Sequence, residues 1–188
     1  IFSPKSNNLG KLKIAFVSVF YPYRGGIAQF NAALYQSLEA KGHEIKAFNF
    51  SLQYPQLLFP GKTQYVAKED AAEKIPSNRT LNSISPLSYI KTARQVRQYQ
   101  PDLLIIGYWM PFMAPSLGYI GKKMSEFCKV IAIVHNATPH EQSKFDRILS
   151  NYFFKNIPNF IALSEVVANE IQNKYPEKNV IALPHPIY

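Results

Sequence analysis

The chain has 188 residues, 47% hydrophobic and 14% aromatic, which suits one domain with a substantial core and excludes a disordered segment. Its one cysteine, Cys128, excludes an internal disulfide and fits a reducing compartment. The net charge of +9 is uneven: residues 1–100 carry 13 basic and 5 acidic groups, residues 101–188 carry 8 and 7, so the first half favours an acidic partner such as a phosphorylated ligand, an anionic lipid surface or nucleic acid.

Residues 1–12 are polar and read as a loose leader; residues 13–186 read as one domain. Lys13 to Phe20 is a short apolar run rich in Val and Phe, the pattern of a buried strand. Tyr21-Pro22-Tyr23-Arg24-Gly25-Gly26 breaks it. Ile27, Phe30, Leu34 and Leu38 then recur at helical spacing, so an apolar stripe should pack back on the strand. A strand, a glycine turn and a helix leave free backbone N–H groups at a helix N-terminus, where the dipole favours an anion. Gly25 and Gly26 lack a Cβ and would let a phosphate approach the backbone. The same pair could equally serve as a tight turn alone.

Lys41-Gly42 ends this helix, and Glu44 to Phe50 reads as a second strand. Residues 51–85 are irregular and proline-containing, a length that in a compact domain usually signals function or mobility. Gly61-Lys62-Thr63 imitates the end of a phosphate-binding loop, but Gln56 stands where its first glycine belongs. Pro86 opens a helix to about Tyr99, with Leu87, Ile90, Ala93 and Val96 expected inward. Lys91, Arg94 and Arg97 form a basic stripe one position further round. Such a stripe would suit an anionic membrane surface, or simply be a solvated face.

Leu103 to Gly121 carries no charge and is long enough to span a bilayer. Gly107, Pro111 and Pro115 interrupt it, so it reads as strand, loop and helix. The strand is Asp102 to Tyr108, the loop begins Trp109-Met110-Pro111-Phe112, and Met113, Leu117, Ile120, Met124 and Phe127 form the helix stripe. Lys129 to His135 is a fourth strand. A helix from about Glu141 is expected to bury Phe145, Ile148, Tyr152 and Phe153. Asn159 to Leu163 is a fifth strand; Ser164 then caps a helix with Glu165 in its first turn and Val167 and Ile171 inward. Asn179 to Leu183 is a sixth.

This alternation predicts an α/β fold, a Rossmann-like parallel sheet with helices on both faces. Ligands in such sheets bind at the carboxyl ends of the strands. That rule gathers Gly25-Gly26, Trp109–Phe112 and His135–Glu141 on one rim. His135 there could donate to a hydroxyl or carry a proton, or merely cap a loop. Glu141 could meet a ligand or favour its own helix N-terminus. His135 and His140 lack metal-ligand spacing, so no metal is expected. His43 and His185 read as structural.

YPYRGGIAQF at residues 21–30, GHEI at 42–45, PDLLIIGYW at 101–109, VHN at 134–136 and FIALSE at 160–165 resemble the N-terminal half of glycosyltransferase family 4. The resemblance runs from about Lys13 to Pro186. It implies a GT-B fold, in which two Rossmann-like domains face each other across the active site of a retaining, nucleotide-sugar-dependent transferase. The N-terminal half binds acceptor and the C-terminal half most of the donor. That second half, with its pair of glutamates eight positions apart, is absent from this sequence, so the chain alone is expected to be inactive. By position, the resemblance puts Gly25 and Gly26 on the donor diphosphate and His135 beside the transferred sugar. Tyr23, Arg24, Trp109, Asn136 and Glu141 would lie toward a glycan or lipid-linked acceptor. Asn136 departs from the aspartate common after this histidine. The implied setting is glycan or glycolipid synthesis in the cytoplasm, at the inner face of the membrane, without nucleic acid or a cofactor beyond the donor. The competing reading is a non-catalytic basic module that binds an anionic lipid surface or nucleic acid through Lys91, Arg94 and Arg97.

Overall fold

A computed structural model describes residues 10–55, 63–66, 72–136 and 143–184. Seven strands form one parallel sheet in the order β3-β2-β1-β4-β5-β6-β7. They are β1 (Lys13–Val17), β2 (Glu44–Leu52), β3 (Ser77–Asn82), β4 (Leu103–Tyr108), β5 (Lys129–Val134), β6 (Asn159–Ala162) and β7 (Asn179–Ala182). The helices are α1 (Gly26–Ala40), α2 (Pro86–Tyr99), α3 (Ala114–Met124), α4 (Lys144–Asn156) and α5 (Glu165–Lys174). The chain is therefore the Rossmann-like α/β fold that the alternation predicts. The central strands β1, β4 and β5 are covered on both faces, which is why they read as nearly continuous apolar runs.

Two cores lie on opposite faces of the sheet. On one, α1 sets Phe30, Ala32 and Tyr35 against Ile14, Phe16, Ile105 and Ile133. On the other, α2 to α5 pack over Val17, Leu104, Ile106, Ala132 and Phe160. Alternate residues of the same strands supply the two cores, as a pleated strand requires. The uncharged stretch resolves as β4, a 3-10 turn at Pro111–Met113 and α3. No helix among the described residues is long and apolar enough to cross a membrane.

Several expectations need correction. A seventh strand, β3, joins the six that the pattern predicts: SNRTLN is polar because it is an edge strand and buries only Leu81 fully. Strand β1 stops at Val17, three residues before the expected Phe20, because two buried asparagines pull residues 18–21 off the sheet. Leu12, expected in the loose leader, is tied down: its N–H donates to His43 Nδ1 (3.2 Å). In α1, Ala28, Asn31 and Tyr35 are buried with Phe30, while Ile27, Leu34 and Leu38 are only half-buried. Leu87 of α2 is 78% exposed instead of buried. Polar partners turn that helix: the Tyr89 hydroxyl donates to Ser83 O, and the Thr92 and Thr80 hydroxyls meet at 3.1 Å.

The expected inner stripe of α4 is also mostly outside. Phe145 and Ile148 are each 65% exposed, and Tyr152 is exposed as well. The inward face is Ser150, Phe153 and Phe154, because Phe153 stacks on Tyr108 at 4.3 Å and Phe154 on Tyr175 at 5.5 Å. The serine cap on α5 is as expected, with Ser164 Oγ accepting from the Val167 N–H at 3.2 Å.

Burial of these tyrosines has a pH signature. Desolvation raises the phenol of Tyr108 above its ordinary value of 10.0 and pushes that of Tyr175 up to about 12. A folded-state pKa above the unfolded one gives stability that is complete below pH 10 and is lost as pH rises toward the folded value. The urea midpoint should therefore fall steeply from about pH 10 to about pH 12. An unchanged midpoint at about pH 11.5 would contradict the burial of these rings.

Candidate active site

The site is organised by the passage from β1 into α1. After Val17 the chain leaves the sheet, and side chains from other elements hold it. Asn49 of β2 accepts from the Phe20 N–H (3.2 Å) and donates to Phe20 O (3.1 Å) and Tyr21 O (2.9 Å). Asn31 of α1 donates to Ser18 Oγ (2.8 Å) and Val19 O (2.9 Å). Both amides are fully buried, where unmade hydrogen bonds cost about 1–3 kcal/mol each. The residues 63–66 add backbone bonds, Arg24 N–H to Gln64 O (2.9 Å) and Val66 N–H to Pro22 O (2.9 Å). The glycine turn is thus held from three sides.

Gly25 adopts φ +120°, a region that L side chains rarely enter. It precedes the first residue of α1, and its carbonyl accepts from the Gln29 N–H (3.2 Å). No side chain caps this helix and no carboxylate lies in its first turn. By contrast, α4 and α5 each start on a serine cap followed by Asp146 or Glu165. The start of α1 keeps backbone donors and a positive dipole end facing outward. A Cβ added at Gly25 or Gly26 would meet no atom within 4 Å, so the turn opens into space.

That space includes a cavity of about 470 Å3, in the size range of ligand pockets. Tyr21, Tyr23, Arg24, Gly25 and Gly26 line one end; Gln29 and Gln36 of α1 line a side, facing Val66, Ala72 and Glu73. Gln36 Nε2 donates to Glu73 Oε2 at 2.9 Å. Amides, a carboxylate and a guanidinium around an open hollow can bind a ligand rich in hydroxyls.

His135 follows β5 at the same rim. Its N–H donates to Tyr108 O (3.0 Å), and its half-buried imidazole meets Phe30 edge-to-face at 5.1 Å. Since Phe30 belongs to α1, that helix carries the glycine turn at its start and braces the histidine on one flank. Gln29 and Gln36 lie on another flank, so cavity and histidine sit to either side of the same helix start. Asn136 is exposed beside His135. Glu141, His140 and His185 lie outside the described residues.

Trp109 and Tyr23, both expected toward the acceptor, are largely buried. Trp109 is only 8% exposed: its Nε1–H donates to the Tyr54 hydroxyl (3.1 Å), and its ring meets Phe50 edge-on. Tyr54 in turn stacks on Phe112 at 6.0 Å and contacts Met110 Sδ. Trp109 therefore lies in an aromatic plug beneath the rim. Tyr23 is buried too, stacked against Tyr65 at 5.2 Å, and forms part of the cavity floor. Arg24 is exposed at the cavity mouth. Lys91, Arg94 and Arg97 are exposed on α2, away from this cavity. Among the described residues no group of three or more His, Cys, Asp or Glu could hold a metal.

Sequence reasoning missed Asn31, Asn49, Gln36 and Glu73. Asn49 carries a visible signal, an amide inside the apolar run of β2. Glu73 carries none, because it comes from the irregular stretch after Leu52 and reaches the site only through tertiary packing.

Comparison with known proteins bears on this arrangement. The sequence model of Glycosyltransferase Family 4 matches residues 24–187. No curated protein sequence matches the chain. Among solved structures, the chain is similar to an alpha-glucosyltransferase in complex with UDP and a 13-mer DNA containing a HMU base. The identity is 13% and the TM-score 0.56, over 95% of this chain and 43% of that one. An alpha-glucosyltransferase with UDP-glucose and DNA containing an abasic site is similar at 13% identity and TM-score 0.56, over 95% and 44%. Anabaena HepE in complex with UDP and glucose is similar at 12% identity and TM-score 0.51, over 94% and 45%. At these identities the likeness is one of fold. The chain spans less than half the length of these proteins.

Proposed function

The chain belongs to Glycosyltransferase Family 4, and from that premise we propose that it forms the acceptor-binding half of a retaining glycosyltransferase that uses a nucleoside-diphosphate sugar in glycan or glycolipid synthesis. The observation that carries the reading is the uncapped glycine start of α1 opening beside a polar cavity. In this reading the first-turn N–H groups of α1, reached past Gly25 and Gly26, hydrogen-bond the donor diphosphate. Bond cleavage at the sugar carbon leaves negative charge on that diphosphate, and donors already fixed in place stabilise it as it develops. His135 lies toward the transferred sugar and donates to, or accepts from, a hydroxyl. Arg24, Gln29, Gln36 and Glu73 form the acceptor side. The remaining donor contacts come from outside this chain, so the 188 residues alone should turn over no donor. UDP in the related folds supports a nucleotide partner of this kind.

Two alanine substitutions test the turn in the whole transferase. Gly25→Ala forces an L side chain to φ +120° and should cost about 1–3 kcal/mol of stability. Gly26→Ala meets open space and no positive φ, so stability should hold within about 0.5 kcal/mol. Its methyl group would still stand where the diphosphate must approach, and KM for the donor should rise about tenfold or more. A Gly26→Ala enzyme with unchanged donor KM and kcat rejects diphosphate binding at this turn.

A further inference from the structure

We propose that the outer face of α2, α3 and α4 docks on an anionic lipid bilayer. Leu87 of α2, Ile84 just before it, and Phe145 and Ile148 of α4 are 54–78% exposed. Large apolar side chains that exposed, on two helices of one layer with α3 between them, mark a contact surface. The helices form one layer: Tyr89 of α2 meets Tyr119 of α3 at 6.4 Å, and Tyr152 of α4 lies against Gly118 of α3.

Charge on these helices is almost all positive. The three helices carry eight cations and a single carboxylate, Asp146. That carboxylate is held in a capping box with Ser143 at the start of α4. Lys91 and Arg94 follow Leu87 at i+4 and i+7, and Lys144 and Arg147 flank Phe145 and Ile148. Arg97 turns away, over the Phe127 ring at 3.9 Å. Exposed apolar groups ringed by cations suit a partner that is negative, broad and deformable, which an anionic leaflet is. A phosphate backbone would satisfy the cations but leave Leu87, Phe145 and Ile148 in water.

The placement fits the use of a surface-bound substrate. Leu87 and Phe145 stand at helix N-termini, hence at the carboxyl rim of the parallel sheet, the edge that carries Gly25 and His135. Docking there would bring the rim to the level of lipid headgroups, where a lipid-linked acceptor lies. The surface stands on its own residues and does not depend on the transferase reading.

Sedimentation with vesicles tests it, using phosphatidylcholine alone and phosphatidylcholine with about 30 mol% phosphatidylglycerol, at about 0.1 M and about 0.5 M salt. The chain should bind the anionic vesicles, prefer them over the neutral ones and weaken with salt. Lys91→Gln/Arg94→Gln/Arg147→Gln should lower the partition coefficient about a hundredfold. Leu87→Ser/Phe145→Ser/Ile148→Ser should lower it at least about tenfold. All six side chains are exposed, so both triple variants should keep the wild-type melting temperature. Equal binding to both vesicle types overturns the proposal, as does full binding by the apolar triple variant. A concentration-dependent dimer lost in the apolar variant would make the face a self-interface instead. Displacement of the vesicles by duplex DNA would assign it to nucleic acid. Vesicle binding alongside an unchanged donor KM in Gly26→Ala would uphold this surface and reject the diphosphate reading, and a raised KM without vesicle binding would do the reverse.

Discussion

Replacing His135 with alanine should lower kcat/KM of the whole transferase by about 100-fold or more, the usual scale for a positioned acid, base or hydrogen-bonding group. The residue stands at the carboxyl end of β5, where parallel sheets present ligands, and α1 braces it through Phe30. Its backbone is fixed by the bond to Tyr108 O, so the alanine variant should keep the loop in place. Stability should drop by no more than about 1 kcal/mol, the worth of one edge-to-face ring contact. His135→Gln, which retains a donor and an acceptor, should recover part of kcat if the role is hydrogen bonding, and none if a proton must move. Steady-state kinetics and melting curves on the same preparations decide. Near-normal kcat/KM together with a large fall in melting temperature would assign His135 to the scaffold.

Gly107→Ala should be among the most damaging single-methyl changes in the domain. Gly107 lies within β4, and a Cβ there would sit 2.1 Å from Ser18 Oγ and 3.0 Å from Ser18 Cβ. Central strands on both sides hold the sheet, so β4 cannot move aside. Ser18 would have to turn and give up its bond from Asn31. Overpacking and the buried amide left without that acceptor add to about 3 kcal/mol or more. Urea unfolding should show the loss directly. Ser18→Gly in the same chain removes the clash but not the lost bond, so it should restore only part of it. A Gly107→Ala protein within about 0.5 kcal/mol of wild type would mean that the packing behind the glycine turn is looser than the Ser18–Asn31 contact indicates.

The two substitutions act on the same feature from opposite ends. His135 packs against Phe30 on the inward side of α1, and Gly107 lies beneath the junction from which α1 departs. Ser18, Asn31 and Asn49 connect them by holding residues 18–21 away from the sheet. The rim therefore depends on buried amides whose spacing in the chain carries no periodic signal.

Local patterning sufficed for the scaffold. A strand buried on both faces must be apolar at every position, so β1, β4 and β5 stood out as runs. The glycine turn was equally legible, because φ +120° at Gly25 is a requirement that only glycine meets readily. Resemblance of ordered motifs added the family, which the match over residues 24–187 bears out. Edge strand β3 was not legible: with one side open and one apolar residue fully buried, its composition is that of a loop.

The amino-acid sequence by itself determined the α/β alternation, the parallel sheet, the carboxyl rim and the position of the glycine turn, since each follows from the residues within a few positions of it. The tertiary structure alone decided which flank of each helix is buried. Period 3.6 says that a stripe exists, but the partner across the interface chooses among neighbouring stripes. Thus Tyr108 and Tyr175 drew Phe153 and Phe154 inward and left Phe145 and Ile148 outside. The same long-range packing set Trp109 under the rim and brought Glu73 to the cavity, because contacts between residues far apart in the chain have no counterpart in local spacing.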